Sequence, residues 1–366
     1  MGFLHELVHA AKKADALVLL GGSLSVVALS SLCMRMLAPR QHPRDLHEGD
    51  CSCCSEAGSM KLCKNGVPGR LHYNYTPSAA GVLPVTCKAD GKPIRVLLIH
   101  GMWHGSWFWR RLQDVLAAAG FGSYALHLRS GRCQTIGSHL LDIEGTMTEM
   151  GKLHGECHLV VIGHSQGGIL SQYLVRDAGL AERFAGAVFV GSVPASSLWE
   201  LIKMMPVAMR IVKDMDIKSI FHGLGFVGSA YYQLTGRLWS SWCMRRIFFL
   251  SSNAEPACST TVAEGGMEEY VQRTVVEASA DGFPTISHYF DSAHSFEKIG
   301  KKPVLVLSAE HDCIYPPATM NPVFLKLFPT ASCIVAKGQA HCFADAGWED
   351  SFAQTLTGWL SKSFTG

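Results

Sequence analysis

From about residue 90 onward the chain alternates short apolar runs with longer stretches whose apolar residues recur every three or four positions. Ile94-Arg95-Val96-Leu97-Leu98-Ile99 is such a run, ended by His100-Gly101. It reads as a strand buried on both faces that runs into a loop. Residues 107–119 carry Phe108, Leu112, Val115 and Leu116 at helical spacing and stop at Gly120, which predicts a helix. The same reading gives strands at 123–128, 159–162, 185–190, 303–307 and 331–336. It gives helices at 136–153, 169–176 and 348–360. Strands alternating with helices at this spacing predict βαβ units, hence an α/β fold with a mostly parallel sheet and helices on both faces. No internal repeat is visible.

Three regions depart from the alternation. Residues 195–302 are rich in Met and aromatic side chains, among them Trp199, Met205, Phe226, Tyr231, Trp239 and Phe248. They read as a mostly helical insertion between two strands, with its own small core and a role as a cap over a pocket. Residues 38–70 are rich in Pro, Gly, Ser, Cys and charge without apolar periodicity, which predicts a linker. Residues 16–34, ALVLLGGSLSVVALSSLCM, carry no charge. As a helix they would be about 28 Å long, close to the hydrocarbon thickness of a bilayer. Lys12 and Lys13 flank one end and Arg35, Arg40 and Arg44 the other, so orientation stays open. A signal anchor, a cleaved targeting peptide and a core helix compete for this segment. The expected organisation is a membrane anchor or targeting segment at 1–37, a Cys-rich linker at 38–70, a core at 71–194 and 303–366, and a helical cap at 195–302. Localisation is expected to be membrane-associated or organellar.

Composition narrows the classes. Apolar residues make up 48% and charged residues 17% of the 366, enough for a sizeable core and too apolar for global disorder. A net charge of +2, spread along the chain, gives no nucleic-acid footprint. The 17 histidines do not fall at metal-ligand spacing, and neither a metal nor a cofactor is expected. Thirteen cysteines do not form the short regular framework of a disulfide-rich secreted domain. Cys51, Cys53, Cys54 and Cys63 stand apart in a polar stretch. Exposed linker thiols, palmitoylation, a local disulfide and zinc are the readings open there.

The chemistry gathers at loops that follow strands. Gly163-His164-Ser165-Gln166-Gly167 matches G-x-S-x-G between an apolar strand and a helix, the setting of a nucleophile elbow. Ser165 would stand at a sharp turn that requires small neighbours two residues either side. A serine hydroxyl needs a base. His341, in Gly338-Gln339-Ala340-His341, follows the strand at 331–336. Asp312 follows the strand at 303–307 and would orient the imidazole. Glu310 is the rival acid. The oxyanion donors would be the backbone amides of Gln166 and Met102, the latter in the loop after the strand at 94–99. His100 reads as a histidine that pins this loop, with Gly101 beside it. Trp103 and His104 shape the pocket or pack under the cap.

Five segments then resemble the α/β-hydrolase superfamily over residues 90 to 364. They are VLLIHGMWHGSWFW at 96–109, VVIGHSQGG at 160–168, VFVGSVP at 188–194, VLVLSAEHDCIYPP at 304–317 and GQAHCF at 338–343. The resemblance implies an eight-stranded, mostly parallel sheet, a cap after the sixth strand, and a triad of Ser165, Asp312 and His341. The two His-Gly steps at 100–101 and 104–105 look like those of small-ester esterases and their hydroxynitrile-lyase relatives. The expected function is hydrolysis of carboxylic esters, with lipophilic acyl esters as substrates, through an acyl-enzyme. The alternatives are an acyltransferase with the same triad, a lyase using a cap lysine such as Lys203, Lys213 or Lys218, and a ligand-binding member without activity. The expected partners are a small-molecule or lipid ester and, through residues 16–34, a membrane.

Overall fold

The computed structural model describes residues 71–88, 90–129, 134–177, 179–195, 274, 302–312, 315–342 and 352–364. The segment at 16–34, the four cysteines between 51 and 63 and all but Thr274 of residues 196–301 lie outside them, so the anchor, linker and cap readings do too.

The strands are β1 (His72–Thr76), β2 (Ile94–Ile99), β3 (Gly122–His127), β4 (His158–His164), β5 (Phe184–Val190), β6 (Val304–Ala309) and β7 (Ser332–Ala336). They form one sheet in the order β1-β3-β2-β4-β5-β6-β7. β1 pairs antiparallel with β3, and every other pair is parallel. The helices are α1 (Arg110–Ala118), α2 (Ile136–His154), α3 (Gln166–Leu174), α4 (Pro317–Leu327) and α5 (Phe352–Phe364).

The apolar runs make sense once both faces of the sheet are covered. Leu97 and Ile99 of β2 face one cluster with Ile143 and Met147 of α2, Ile169 and Tyr173 of α3, and Phe324 of α4. Ile94, Val96 and Leu98 face the other, with Leu112 and Leu116 of α1 and Leu356 and Leu360 of α5. A strand covered on both sides needs apolar residues at odd and even positions alike. Full burial of each Val, Leu, Ile or Phe contributes about 1.5–3 kcal/mol. The one charged residue inside β2 has a use at the rim. Arg95 donates to the carbonyls of His154 and Gly155, 2.8 and 3.2 Å away, where α2 ends. Those are carbonyls that a helix terminus leaves without an internal partner.

The elements differ from the sequence reading in a few places. Ser106–Trp109 forms a separate 3₁₀ turn ahead of α1. α3 begins at Gln166, three residues before the expected start, because Gly167 and Gly168 are helical here. α4 was hidden by its prolines: Pro317 sits in the first turn, where its missing N–H costs nothing, and Pro322 lies inside. Seven strands are described where the resemblance implies eight. Before β2 the described residues hold one strand, β1, and an isolated antiparallel bridge between Thr86 and Pro93. The expected insertion therefore falls between β5 and β6 as numbered here. Asn74, in the sequon Asn74-Tyr75-Thr76, lies inside β1, and its amide donates to Ser106 Oγ at 3.3 Å.

β2 lies between β3 and β4, so chain direction across the sheet reverses at β2. Open α/β sheets bind ligands outside the carboxyl ends of the strands at such a point. The loops after β2 and β4 meet there.

Candidate active site

β4 delivers Ser165 into a conformation that few residues accept. Its φ is 51° and ψ −118°, and Trp103 at φ 63° is the only other non-glycine with positive φ among the described residues. Such geometry costs about 1–3 kcal/mol and must be held by its surroundings. Two hydrogen bonds hold it. The Ser165 N–H donates to Val190 O at 3.0 Å, and Ser192 Oγ donates to Ser165 O at 2.9 Å. Around the turn, a Cβ on Gly163 would run into the Gly167 carbonyl, and one on Gly167 into the Ile99 carbonyl. The two glycines are the condition for strand and helix to close on the serine.

The Ser165 side chain is partly exposed, and among the described residues its hydroxyl has no hydrogen-bond partner. Among the described residues, the amides of Gln166, at the first position of α3, and of Met102 have no acceptor either. Gly101 explains how the Met102 loop comes so near: a Cβ there would lie 2.9 Å from Ser165 Cβ. The helix dipole adds positive potential at the Gln166 end.

His341 and Asp312 form a buried pair. Nδ1 of His341 lies 2.8 Å from Asp312 Oδ2, with the two side chains 1% and 0% exposed. A carboxylate oxygen accepts, so Nδ1 of His341 is the donor in this bond. The other Asp312 oxygen accepts from the Tyr315 amide at 2.8 Å, and the Tyr315 ring packs edge-on against His341 with centroids 5.4 Å apart. Acid and base loops are laced by backbone bonds from Glu310 to Ala336 and from His311 to Gln339, of 3.0 and 2.8 Å. The rival carboxylate, Glu310, turns to the surface, where Lys337 Nζ at 2.8 Å and the Gly338 amide at 2.9 Å hold it. Those donors keep its carboxyl below the usual range.

His164 was not singled out in the sequence, yet it joins the parts. Its Nε2 donates to the His341 carbonyl at 3.0 Å, and its ring lies 4.8 Å from that of His341 and 4.7 Å from that of Phe108. Ser165 thus reaches the His341–Asp312 pair through its neighbour His164, not through a direct hydrogen bond. His164 is the unspecified x before the serine in G-x-S-x-G, so the motif gave no reason to choose it.

Two further histidines set the loop after β2. His100 donates from Nδ1 to Gly101 O at 2.7 Å and accepts from the Leu128 amide at 3.0 Å. His104 donates from Nδ1 to Met102 O at 2.8 Å, and Cys342 Sγ lies 3.6 Å from its Nε2. Burial lowers all three: His100 and His164 fall well below the ordinary histidine value, and His104 to about 3. All are neutral at pH 7. Trp103 stays partly exposed beside them. A strained serine, two free amides and a dry imidazole–carboxylate pair can stabilise charge that develops on an oxygen.

A family model of the alpha/beta hydrolase fold matches residues 94–346. Esterase PIR7B of Oryza sativa subsp. japonica is 34% identical over 108 residues, 26% of this chain and 37% of the relative. Probable esterase PIR7A of Oryza sativa subsp. indica is 33% identical over 138 residues, 34% of this chain and 49% of the relative. The matches thus span less than half the length of these curated relatives. Among solved structures, a bromoperoxidase from Bacillus anthracis aligns with a TM-score of 0.55 and 16% identity over 83% of this chain and 100% of its own. An esterase from Thermogutta terrifontis aligns with 0.51 and 20% over 84% and 100%. At those identities the solved structures share the fold alone. Strand order, elbow and family match agree, and the chain belongs to the alpha/beta hydrolase fold family.

Proposed function

We propose that this protein is a serine esterase that cleaves carboxylic esters through an acyl-enzyme, with Ser165 as nucleophile, His341 as base and Asp312 as the carboxylate that orients it. The observation that carries the reading is the buried His341–Asp312 pair beside an elbow serine whose hydroxyl is uncommitted. Rotation of the Ser165 side chain toward His341 Nε2 completes the relay. Ser165 Oγ attacks the ester carbonyl carbon as its proton passes to Nε2. The oxyanion takes hydrogen bonds from the Met102 and Gln166 amides. His341 then protonates the leaving alcohol, and water repeats the sequence on the acyl-enzyme. Asp312 holds the imidazolium and stays ionised throughout.

The Met- and aromatic-rich composition of residues 195–302 supports an apolar acyl group, and the uncharged segment at 16–34 supports a membrane tether. A fluorophosphonate probe tests the core of the reading. Labelling at Ser165, lost in Ser165→Ala, is expected; absence of labelling in folded protein rejects the nucleophile. Esters graded by acyl length test the substrate class, and added methanol or glycerol shows whether water is the acceptor. Removal of residues 1–40 is expected to release the protein from membranes with soluble-ester activity retained; pelleting of the shortened chain rejects the tether.

A further inference from the structure

At the opposite end of the sheet, three donors from separate parts of the chain converge: Cys87, Asp90 and His158. One ligand atom from each lies within 4.8 Å of the other two. No metal-ligand spacing in the sequence announces them, because His158 arrives from the start of β4 and the other two from the loop that leads into β2. We propose that these side chains form a site for a borderline divalent cation such as Zn²⁺.

The backbone holds the donors in place before any ion arrives. Cys87 N donates to Lys92 O and Gly91 N to Cys87 O, both at 2.8 Å, closing a tight loop. Gly91 sits at φ 69°, a left-handed turn that glycine takes without strain. The base of the loop is bridged from Thr86 to Pro93, and His158 N donates to Pro93 O at 3.0 Å. The His158 backbone is thereby tied to the loop that carries the other two donors. Within the loop, the Lys92 amide takes Asp90 Oδ1 at 3.1 Å, leaving Oδ2 directed at His158 Nε2, 2.8 Å away. An ion entering between them replaces that contact and needs the two atoms to part by about half an ångström.

The donor set selects the ion. Thiolate, imidazole and carboxylate together suit zinc and cobalt, whereas calcium and magnesium take oxygen. Cys87 and His158 are half-buried and Asp90 is exposed, so a fourth position stays open to water. The neighbouring cation does not oppose binding, because Lys92 Nζ is paired with Glu156 at 2.7 Å. Binding releases the thiol proton of Cys87 to solvent, and the His158 proton shared with Asp90 leaves Nε2, the neutral ring keeping its proton on Nδ1. β4 separates this loop from Ser165 by roughly 20 Å, so the ion acts as a staple between the loop and β4 and takes no part in ester chemistry.

Titration of the full chain with Co²⁺, followed by the near-ultraviolet thiolate-to-cobalt absorption, tests the site against the other cysteines. The wild type is expected to bind one equivalent more than Cys87→Ser, and Zn²⁺ should displace that equivalent. His158→Gln and Asp90→Asn should weaken it by at least about tenfold, the loss seen even for partners behind the ligands themselves. Zn²⁺ should raise Tm in the wild type by more than in any of the three variants. Equal Co²⁺ uptake by wild type and by Asp90→Asn or Cys87→Ser, in variants whose circular dichroism matches, overturns the site.

Discussion

β4 carries a histidine at each end, and the two live in different solvents. His158, at the amino end, is partly exposed and paired to Asp90 among Lys92 and Glu156. His164, at the carboxyl end, is fully buried and neutral, and among the described residues its Nδ1 has no hydrogen-bond partner. Among the described residues, no non-glycine at the amino end has positive φ, whereas the carboxyl end holds Ser165 and Trp103 there. The parallel strands β2 to β7 let this happen because their carboxyl ends meet on one rim. Strain and desolvation accumulate there, where fixed dipoles act on a reacting oxygen with little screening, while the other rim keeps ordinary solvated charge.

The largest test of that contrast falls on the buried pair. His341→Ala is expected to lower ester kcat/KM by about 10⁴ or more with the fold intact. Asp312→Asn, which spoils the tautomer, should cost nearly as much, and Glu310→Gln should stay within about threefold. Steady-state kinetics on a soluble ester separate them. Comparable losses for Glu310→Gln and Asp312→Asn would reassign the carboxylate.

Packing gives a second contrast. Gly163→Ala forces a methyl into the Gly167 carbonyl and should destabilise the protein by about 3 kcal/mol or more. Gly151, near the end of α2, is half-buried but has nothing within 4 Å of an added Cβ. Gly151→Ala should therefore stabilise by about 0.5–1 kcal/mol through helix propensity alone. Urea midpoints measure both; equal effects in the two variants would mean that the elbow is not tightly closed.

How much of this was legible beforehand depends on whether the signal was local. The runs at 94–99 and 159–162 announced central strands, and Gly163-x-Ser165-x-Gly167 announced the turn, because the requirement for small residues is written beside the serine. His164 was invisible: its partner is a carbonyl contributed by His341, and nothing local encodes that meeting. β1 was obscure because an antiparallel edge strand that is half-buried throughout carries a weaker pattern than a central one. α4 was not among the expected helices: Pro316 caps it, and Pro317 and Pro322 lie within a stretch whose prolines weaken a helical pattern. Cys87, Asp90 and His158 shared no spacing, since the sheet alone brings them together.

A smaller effect probes His164 itself, acting on the reaction through His341. His164→Gln should lower kcat by about ten- to a hundredfold, the scale of a slight misplacement of a reacting group, with KM within about threefold. A change confined to stability, with kcat unaltered, would make His164 a packing residue only.

The smallest effect is spread over the dry rim as a whole. His100, His104 and His164 refuse protons in the folded state that they accept near pH 6.5 when unfolded. The unfolded chain therefore binds more protons than the folded one below that pH, and stability rises with pH. Their contribution is fully present above about pH 6.5 and declines as pH falls, continuing toward about 3 for His104. Each histidine adds at most about 1.4 kcal/mol per pH unit to that slope. His104→Gln retains a donor for the Met102 carbonyl but cannot take a proton. Urea melts between pH 7.5 and 4.5 should show its stability falling less steeply than that of the wild type, by one histidine's share. Parallel slopes would mean that His104 is wetted and protonated within the folded protein, and the carboxyl rim would then lose the dryness that separates it from the amino rim.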